Sequence, residues 1–239
     1  MQKRLIRKLD LELALSQIKP HPSPKPSLEQ YTIPTDVAAK MLYIAAYTYD
    51  DIIGKTVLDL GCGTGRLALG AAFLGAKKVV GVDIDKSAVT TALENSKRME
   101  LRKKVQWVVA DIEVVKGNFD TVLQNPPFGV QKREADRKFI KKALETGKVV
   151  YSLHKSPNAK RDLIKKLKAN GKGIVQTCPS PFLQWFIEKH GGRIRDVYSM
   201  VMAIPCMFSF HKRKKHEFIV DLYIIEKEDK CTWQLKRNF

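Results

Sequence analysis

The segment DTVLQNPPF, residues 120–128, ends an apolar run with Asn125, Pro126, Pro127 and Phe128. An amide, two rigid rings and an aromatic in this order suit a clamp for a planar amino group. The Asn125 side-chain oxygen and the Pro126 carbonyl can each accept a hydrogen bond from one NH2 group. That acceptance pushes electron density back onto an aromatic amine, whose lone pair is otherwise delocalised into its ring. Pro127 fixes its own φ and restricts Pro126, which aims the carbonyl. The Phe128 ring can stack on a base, a contact of about 1–3 kcal/mol. The chemistry these residues fit is attack by the exocyclic nitrogen of a purine, turned out of its stack, on a sulfonium methyl group. As the N–C bond forms and the S–C bond breaks, the charge passes from sulfur to nitrogen and the neutral thioether leaves; the methylated aromatic ammonium is acidic enough to lose its proton to water, so no strong base is obligatory, and alignment supplies much of the rate. The plainer alternative is a proline-rich turn capping a buried strand.

A methyl donor needs its own site. VLDLGCGTGR sets Gly61, Gly63 and Gly65 behind an apolar run, with Cys62 and Thr64 between them and Arg66 after them. Glycines there let the backbone turn sharply and approach a ligand. A dinucleotide fingerprint wants glycine or alanine where Arg66 stands. No hydride-transfer site can be named, so an NAD-dependent oxidoreductase fits poorly. S-adenosylmethionine (SAM) has no pyrophosphate and fits better, with Asp59 placed to meet its amino-acid part. Asp83, followed by Ile84, ends the next apolar run about twenty residues on and can accept from both ribose hydroxyls. Asp111 closes VVADI, where its side chain and the Ile112 backbone can read the adenine edge. Each acid also has an ordinary reading as a turn former or helix cap.

The elements that must position these residues follow from periodicity. KTVLDL, KVVGVDID, VQWVVADI, FDTVLQN and KVVYSLH read as strands alternating with helices GRLALGAAFLGA, KSAVTTALENSKRMEL and EADRKFIKKALETG. That alternation predicts a parallel sheet covered on both faces. Two late strands, RIRDVYSMVMAI and EFIVDLYIIE, are expected as an antiparallel pair at one edge, after helices over AKRDLIKKLKANGKG and SPFLQWFIEKHGG. Ahead of the sheet, Leu5, Leu9 and Leu13 mark the apolar stripe of an amphipathic helix. The prolines of KPHPSPKPS favour an extended segment. TDVAAKMLYIAAYTYDD then predicts a helix capped by Thr35 or Asp36.

Lys and Arg outnumber Asp and Glu 43 to 25 in the 239 residues, a net charge of +18 that points to a polyanionic partner, nucleic acid first. Basic clusters lie at 97–104, 131–142, 160–172 and 211–215; the second and fourth are expected near the rim of the active site, where they could contact phosphates, and the plainer alternative for each is a solvated face. No apolar run reaches the ~18 residues a membrane span needs. The charged N-terminal segment does not read as a signal peptide. Cys62, Cys178, Cys206 and Cys231 form no C-x-x-C pair, so no metal site or disulfide framework is indicated, and a reducing cytoplasm is expected.

The stretches LEQYTIPTDVAAKMLY, DLGCGTGRLALGAAFLGA, GVDID, NPPFG, VYSLHKS and FSFHKRKKHEFIVDLY, in that order, resemble the methyltransferase-like protein 5 family and its archaeal relatives. NPPF alone is shared with DNA adenine and protein glutamine methyltransferases; EQY, VYSLHK and FHKRKK narrow the resemblance. It implies one α/β, Rossmann-like class I methyltransferase domain over 1–239, with a mostly parallel seven-stranded sheet and an antiparallel C-terminal strand. Residues 1–30 would be a helix and proline-rich lead-in, 157–181 a basic insertion and 227–239 a tail. The implied activity is N6-adenosine methylation of small-subunit ribosomal RNA. Gln30, Gly61, Thr64, Arg66, Asp83, Asp111 and Ile112 would hold the cofactor, and Asn125 through Phe128 would be catalytic. Relatives work with a small zinc-binding activator subunit that extends the sheet at the third strand, here 105–111. Alternation of Val105, Trp107 and Val109 makes one face of that strand apolar. With Trp107 outward it would need a cover, either that partner or the chain's own helices. One departure is Ile33, where the family often has threonine. Other readings are protein glutamine or DNA adenine methylation, or an RNA-holding assembly factor without turnover.

Overall fold

The computed structural model describes residues 5–128, 134–157, 165, 167, 169, 173–205 and 215–228. The helices are α1 (Lys8–Ser16), α2 (Thr35–Tyr43), α3 (Arg66–Phe73), α4 (Lys86–Arg98), α5 (Ala135–Thr146) and α6 (Pro181–Lys189). The strands are β1 (Thr56–Leu60), β2 (Lys78–Asp83), β3 (Val105–Val109), β4 (Phe119–Gln124), β5 (Gly147–Lys155), β6 (Ile174–Gln176), β7 (Gly192–Pro205) and β8 (Lys215–Lys227). They form one sheet in the order β3-β2-β1-β4-β5-β8-β7-β6. Pairing is parallel from β3 to β5 and antiparallel from β5 through β8 and β7 to β6.

The α/β, Rossmann-like class is the one expected. Among the described residues the sheet holds eight strands rather than seven. The extra one is β6, which pairs Ile174 with Met200 on the outer edge of β7. β8 is the reversed C-terminal strand, and it is inserted between β5 and β7.

Side chains alternate across the strands with the period of two that the pleat imposes. Val57, Leu123, Tyr151, Leu222 and Ile224 join the core under α1, α2 and α3. Their neighbours Leu58, Val122, Val150, Tyr223 and Ile225 join the opposite core, under α5 and α6. Both faces of the sheet are therefore filled, which holds the carboxyl ends of β1, β2 and β4 in fixed register.

Three local expectations change. The stripe Leu5, Leu9 and Leu13 faces solvent, each more than half exposed, with Leu5 ahead of α1 and the other two in it, while Leu11 and Leu15 of α1 are fully buried. The sequence carries two apolar stripes, and packing against α2 and α3 selects the second. Pro34 stands at the N-cap of α2, with no side-chain capping bond from Thr35 or Asp36. Trp107 points inward: its ring lies where a Cβ on Gly65 or Gly81 would be, 2.5 Å away in each case, and its Nε1 donates to Ser96 Oγ at 3.3 Å. The chain's own helices cover this ring.

The proposed insertion at 157–181 lies mostly outside the described residues; Lys165, Leu167 and Ala169 in it are helical, and it ends in β6 and the start of α6. Residues 131–133, 206–214 and 229–239, with much of the basic clusters and the tail, lie outside them too. No described helix is long and apolar enough to cross a membrane.

Candidate active site

The turn after β1 is built by its own backbone. Gly61, Gly63 and Gly65 have φ of +69°, +52° and +88°, values that side chains other than glycine rarely adopt. The amides of Gly61 and Cys62 both donate to the Val82 carbonyl at 2.9 Å, which ties the turn to the end of β2. Asp83 locks the same joint. One of its oxygens accepts from Gly63 N at 2.8 Å and the other from Asp85 N at 2.9 Å. Burial pushes its carboxyl above the usual range, against those two bonds. Asp59 accepts from Ala68 N at 2.8 Å, at the start of α3. Burial pushes its carboxyl up to about 7, with Asp83 adding to the rise and the Ala68 amide opposing it. Asp111 caps the short turn Ile112–Val114 by accepting from Glu113 N at 2.9 Å.

The Asn125-Pro126-Pro127-Phe128 segment leaves the carboxyl end of β4, which lies next to β1 in the sheet. The Asn125 side-chain oxygen is buried and has no hydrogen-bond partner among the described residues. Pro126 is buried behind it. Phe128 is packed against Tyr31, with ring centres 5.3 Å apart, and meets Phe218 edge-on at 5.6 Å. Beneath the strand end, Gln124 Nε2 donates to Ser152 Oγ at 2.8 Å, and Ser152 Oγ lies 2.7 Å from His154 Nε2. His154 Nδ1 stands 3.7 Å from Asp136. This has the order of a nucleophilic triad, but Ser152 is fully buried between the Gln124 amide and the imidazole. It is a brace for β4 and β5.

A cavity of about 560 Å³ joins the two halves. That volume is within the usual range for small-molecule sites. Asp59, Gly61, Cys62, Gly63, Thr64, Arg66, Asp83, Ile84, Asp111, Ile112, Asn125, Pro127 and Gln30 all line it. Gly65, Pro126 and Phe128 do not: Gly65 sits under Trp107, Pro126 is buried, and Phe128 stands behind Tyr31. Arg66 also has a structural task. Its guanidinium bonds the Ile33 carbonyl, and at 3.5 Å the Ile18 carbonyl, pinning the lead-in over the turn.

That lead-in is the part the spacing of residues did not disclose. Residues 18–33 form a wall of the cavity instead of a free linker, contributing His21, Glu29, Tyr31 and Thr32. Asp85, the cap of α4, gathers it: Gln30 Nε2 donates to Asp85 at 2.9 Å, Lys25 Nζ lies at 3.3 Å and His21 Nε2 at 3.4 Å. Burial works against the Asp85 charge, yet the Gln30, Ser87 and Lys25 donors hold its carboxyl at about 2. Asn95 adds a clamp, donating to the carbonyls of Lys19 and Thr64 at 3.1 Å and accepting from Lys19 N at 3.0 Å. The aromatic after Gln30 in EQY was the available signal for Tyr31. On the far wall α5 supplies Arg137, Lys138 and Phe139, and α6 supplies Phe186.

These residues fit a nucleoside with a charged amino-acid arm. Buried carboxylates at the ends of β1 and β2 suit an ammonium and a ribose. Gly63 has nothing within 4 Å of the place a Cβ would take, so the turn is open to a ligand. The half-exposed Ile84 and the buried Ile112 offer apolar surface to a flat base.

Comparison with known proteins agrees. Residues 41–126 match the model of the ribosomal protein L11 methyltransferase (PrmA) family. The chain is 35% identical to the rRNA N6-adenosine-methyltransferase METTL5 of Danio rerio over 218 residues, 89% of this chain and 95% of that protein. It is 36% identical to the Drosophila melanogaster rRNA N6-adenosine-methyltransferase Mettl5, over 90% and 94% of the two chains. Among solved structures, a candidate RNA methyltransferase from Pyrococcus horikoshii superposes with a TM-score of 0.78 at 36% identity, covering 95% of this chain and 100% of that one. At 30–36% identity to these relatives over about nine-tenths of its length, and with the glycine turn, the strand-end acids, Asn125 and Pro127 lining one cavity, this chain belongs to the METTL5 family of SAM-dependent class I methyltransferases.

Proposed function

We propose that this protein transfers the methyl group of SAM to N6 of an adenosine in RNA, and that the RNA is ribosomal RNA of the small subunit. The observation that carries the reading is the buried Asn125 oxygen at the wall of the cavity, which has no hydrogen-bond partner among the described residues. A buried acceptor without a donor is unfavourable by about 1–3 kcal/mol, so it marks the place where a ligand N–H belongs. Family membership supports RNA as the substrate class.

SAM, when bound, supplies an electrophilic methyl carbon. In this reading Asp59 meets its ammonium and Asp83 its ribose, with Asp111, Ile112 and Ile84 around its adenine. Gln30 closes the near side. The Asn125 oxygen and the Pro126 carbonyl accept the two amino hydrogens of the target base and turn the nitrogen lone pair toward the methyl group. Phe128, backed by Phe218, gives that position a rigid aromatic support, and Tyr31 is the ring of this cluster that faces the cavity. The β3 edge, with Val108 and Val109 partly exposed, is where we place a small zinc-binding activator subunit. We also propose a cytoplasmic location, which a ribosomal RNA substrate is compatible with.

The test is transfer of labelled methyl from SAM to ribosomal RNA, DNA and protein fractions, followed by nucleoside digestion. N6-methyladenosine in small-subunit RNA is expected. Label on glutamine or in DNA would overturn the substrate, and RNA binding without transfer would leave an assembly factor.

A further inference from the structure

We infer that α6, with the facing surface of α5, is a stacking platform for unpaired nucleotides that flank the target base. The inference rests on the proposed RNA substrate and assigns that substrate a second contact surface, outside the cofactor cavity.

α6 buries Leu183 and Ile187 in the core, which satisfies its packing. Phe182 and Trp185 are surplus to it and stand 45% and 54% exposed. Each carries a cation on its ring. The Arg137 guanidinium lies 4.7 Å from the Phe182 ring centre, and Lys189 Nζ lies 4.8 Å from that of Trp185. Glu134 fixes the Arg137 guanidinium through a 2.6 Å ion pair. Phe182 also stacks on Phe186, with centres 6.2 Å apart and planes 27° apart.

The rings run into the catalytic centre. Phe186 and Arg137 line the cavity, as do Lys138 and Lys141 one and four residues further along α5. A surface that alternates flat rings with cations and ends at a base-sized cavity matches single-stranded nucleic acid: bases stack on the rings and phosphates meet the cations. The net charge of +18 supports a polyanion in the same direction.

The experiment uses the full chain and a short fluorescent single-stranded RNA containing one adenosine, with binding read by anisotropy over a range of salt. Trp185→Ala and Phe182→Ala should each raise the RNA Kd by about tenfold, and Trp185→Phe should recover most of that loss. Stacking releases no counterion, so these variants should keep the wild-type salt slope. Lys189→Ala should flatten it by about 0.7. SAM affinity and melting temperature should match wild type in the ring variants, because both rings are exposed. Wild-type binding and methylation of RNA with undiminished affinity in both ring variants would overturn the platform and leave the substrate standing. Failure of the wild-type chain to bind or methylate any RNA would overturn both. A sedimentation shift from dimer to monomer in the ring variants, with unchanged RNA affinity, would reassign the patch to a contact between copies of the chain.

Discussion

Substituting Asn for Asp59 should make this protein more stable above neutral pH and worse at holding its cofactor. Asp59 is 1% exposed, and burial holds its carboxyl at about 7 instead of 3.8. In the unfolded chain the same group ionises near 4. Between about pH 4 and pH 7 the folded state therefore binds more protons than the unfolded state, and stability falls as pH rises through that window. The gap of about three pH units, at about 1.36 kcal/mol each, amounts to roughly 4 kcal/mol lost by pH 8. An asparagine of the same shape keeps an oxygen for the Ala68 amide, bonded at 2.8 Å in the wild type, and carries no charge to bury. Urea denaturation of both proteins from about pH 4 to pH 8 reads the effect, together with the smaller change at Asp83, whose charge adds to the rise at Asp59. The difference curve should rise with pH and level off above about 7. Calorimetry at about pH 8 should show SAM binding at least about tenfold weaker in the variant, through loss of the carboxylate that meets the ammonium. Wild-type SAM affinity should itself weaken below about pH 7, as the carboxyl takes up its proton. Parallel stability curves, or undiminished SAM affinity in the variant, would refute the assignment of Asp59 as a buried carboxylate held for the cofactor.

Asn125→Ala should lower kcat by about a hundredfold to a thousandfold, by analogy with the loss of one preorganised hydrogen bond at a reacting centre, with SAM affinity near wild type in titrations; retained turnover would remove Asn125 from the mechanism. Asp83→Ala should weaken SAM binding by at least about tenfold, because it removes both the ribose acceptor and the bonds to Gly63 N and Asp85 N; an unchanged Kd would defeat the ribose assignment. Gly81→Ala would put a methyl group 2.5 Å from the Trp107 ring and should cost about 1–3 kcal/mol in denaturant unfolding, whereas Gly81→Ala combined with Trp107→Leu should recover part of that loss.

Much of the site was legible because its parts are local. A strand, a glycine turn and a helix are contiguous, and the positive φ angles of Gly61, Gly63 and Gly65 are properties of their own backbones. Asp83, Asp111 and Asn125 stand at strand ends, and parallel pairing of β1 with β2 and β4 brings such ends to one side of a sheet. The alternation of strands and helices sufficed for the fold class. It could not reveal β6, a three-residue strand that pairs only because β7 offers a free edge.

Residue order and spacing thus determined the glycine turn, the acids that end the neighbouring strands and the Asn125–Phe128 segment after β4, to which we assign the cofactor and the target amine, all through short-range backbone geometry. Tertiary structure decided which apolar stripe of α1 is buried, that Trp107 turns inward onto Gly65 and Gly81, and that Phe128 stands behind Tyr31. It also drew the proline-rich lead-in onto Asp85 and pinned it through Arg66. Each of these depends on a partner distant in the chain, such as Gln30 on Asp85 or Ile33 on Arg66, and no local periodicity encodes which distant surface a side chain will meet.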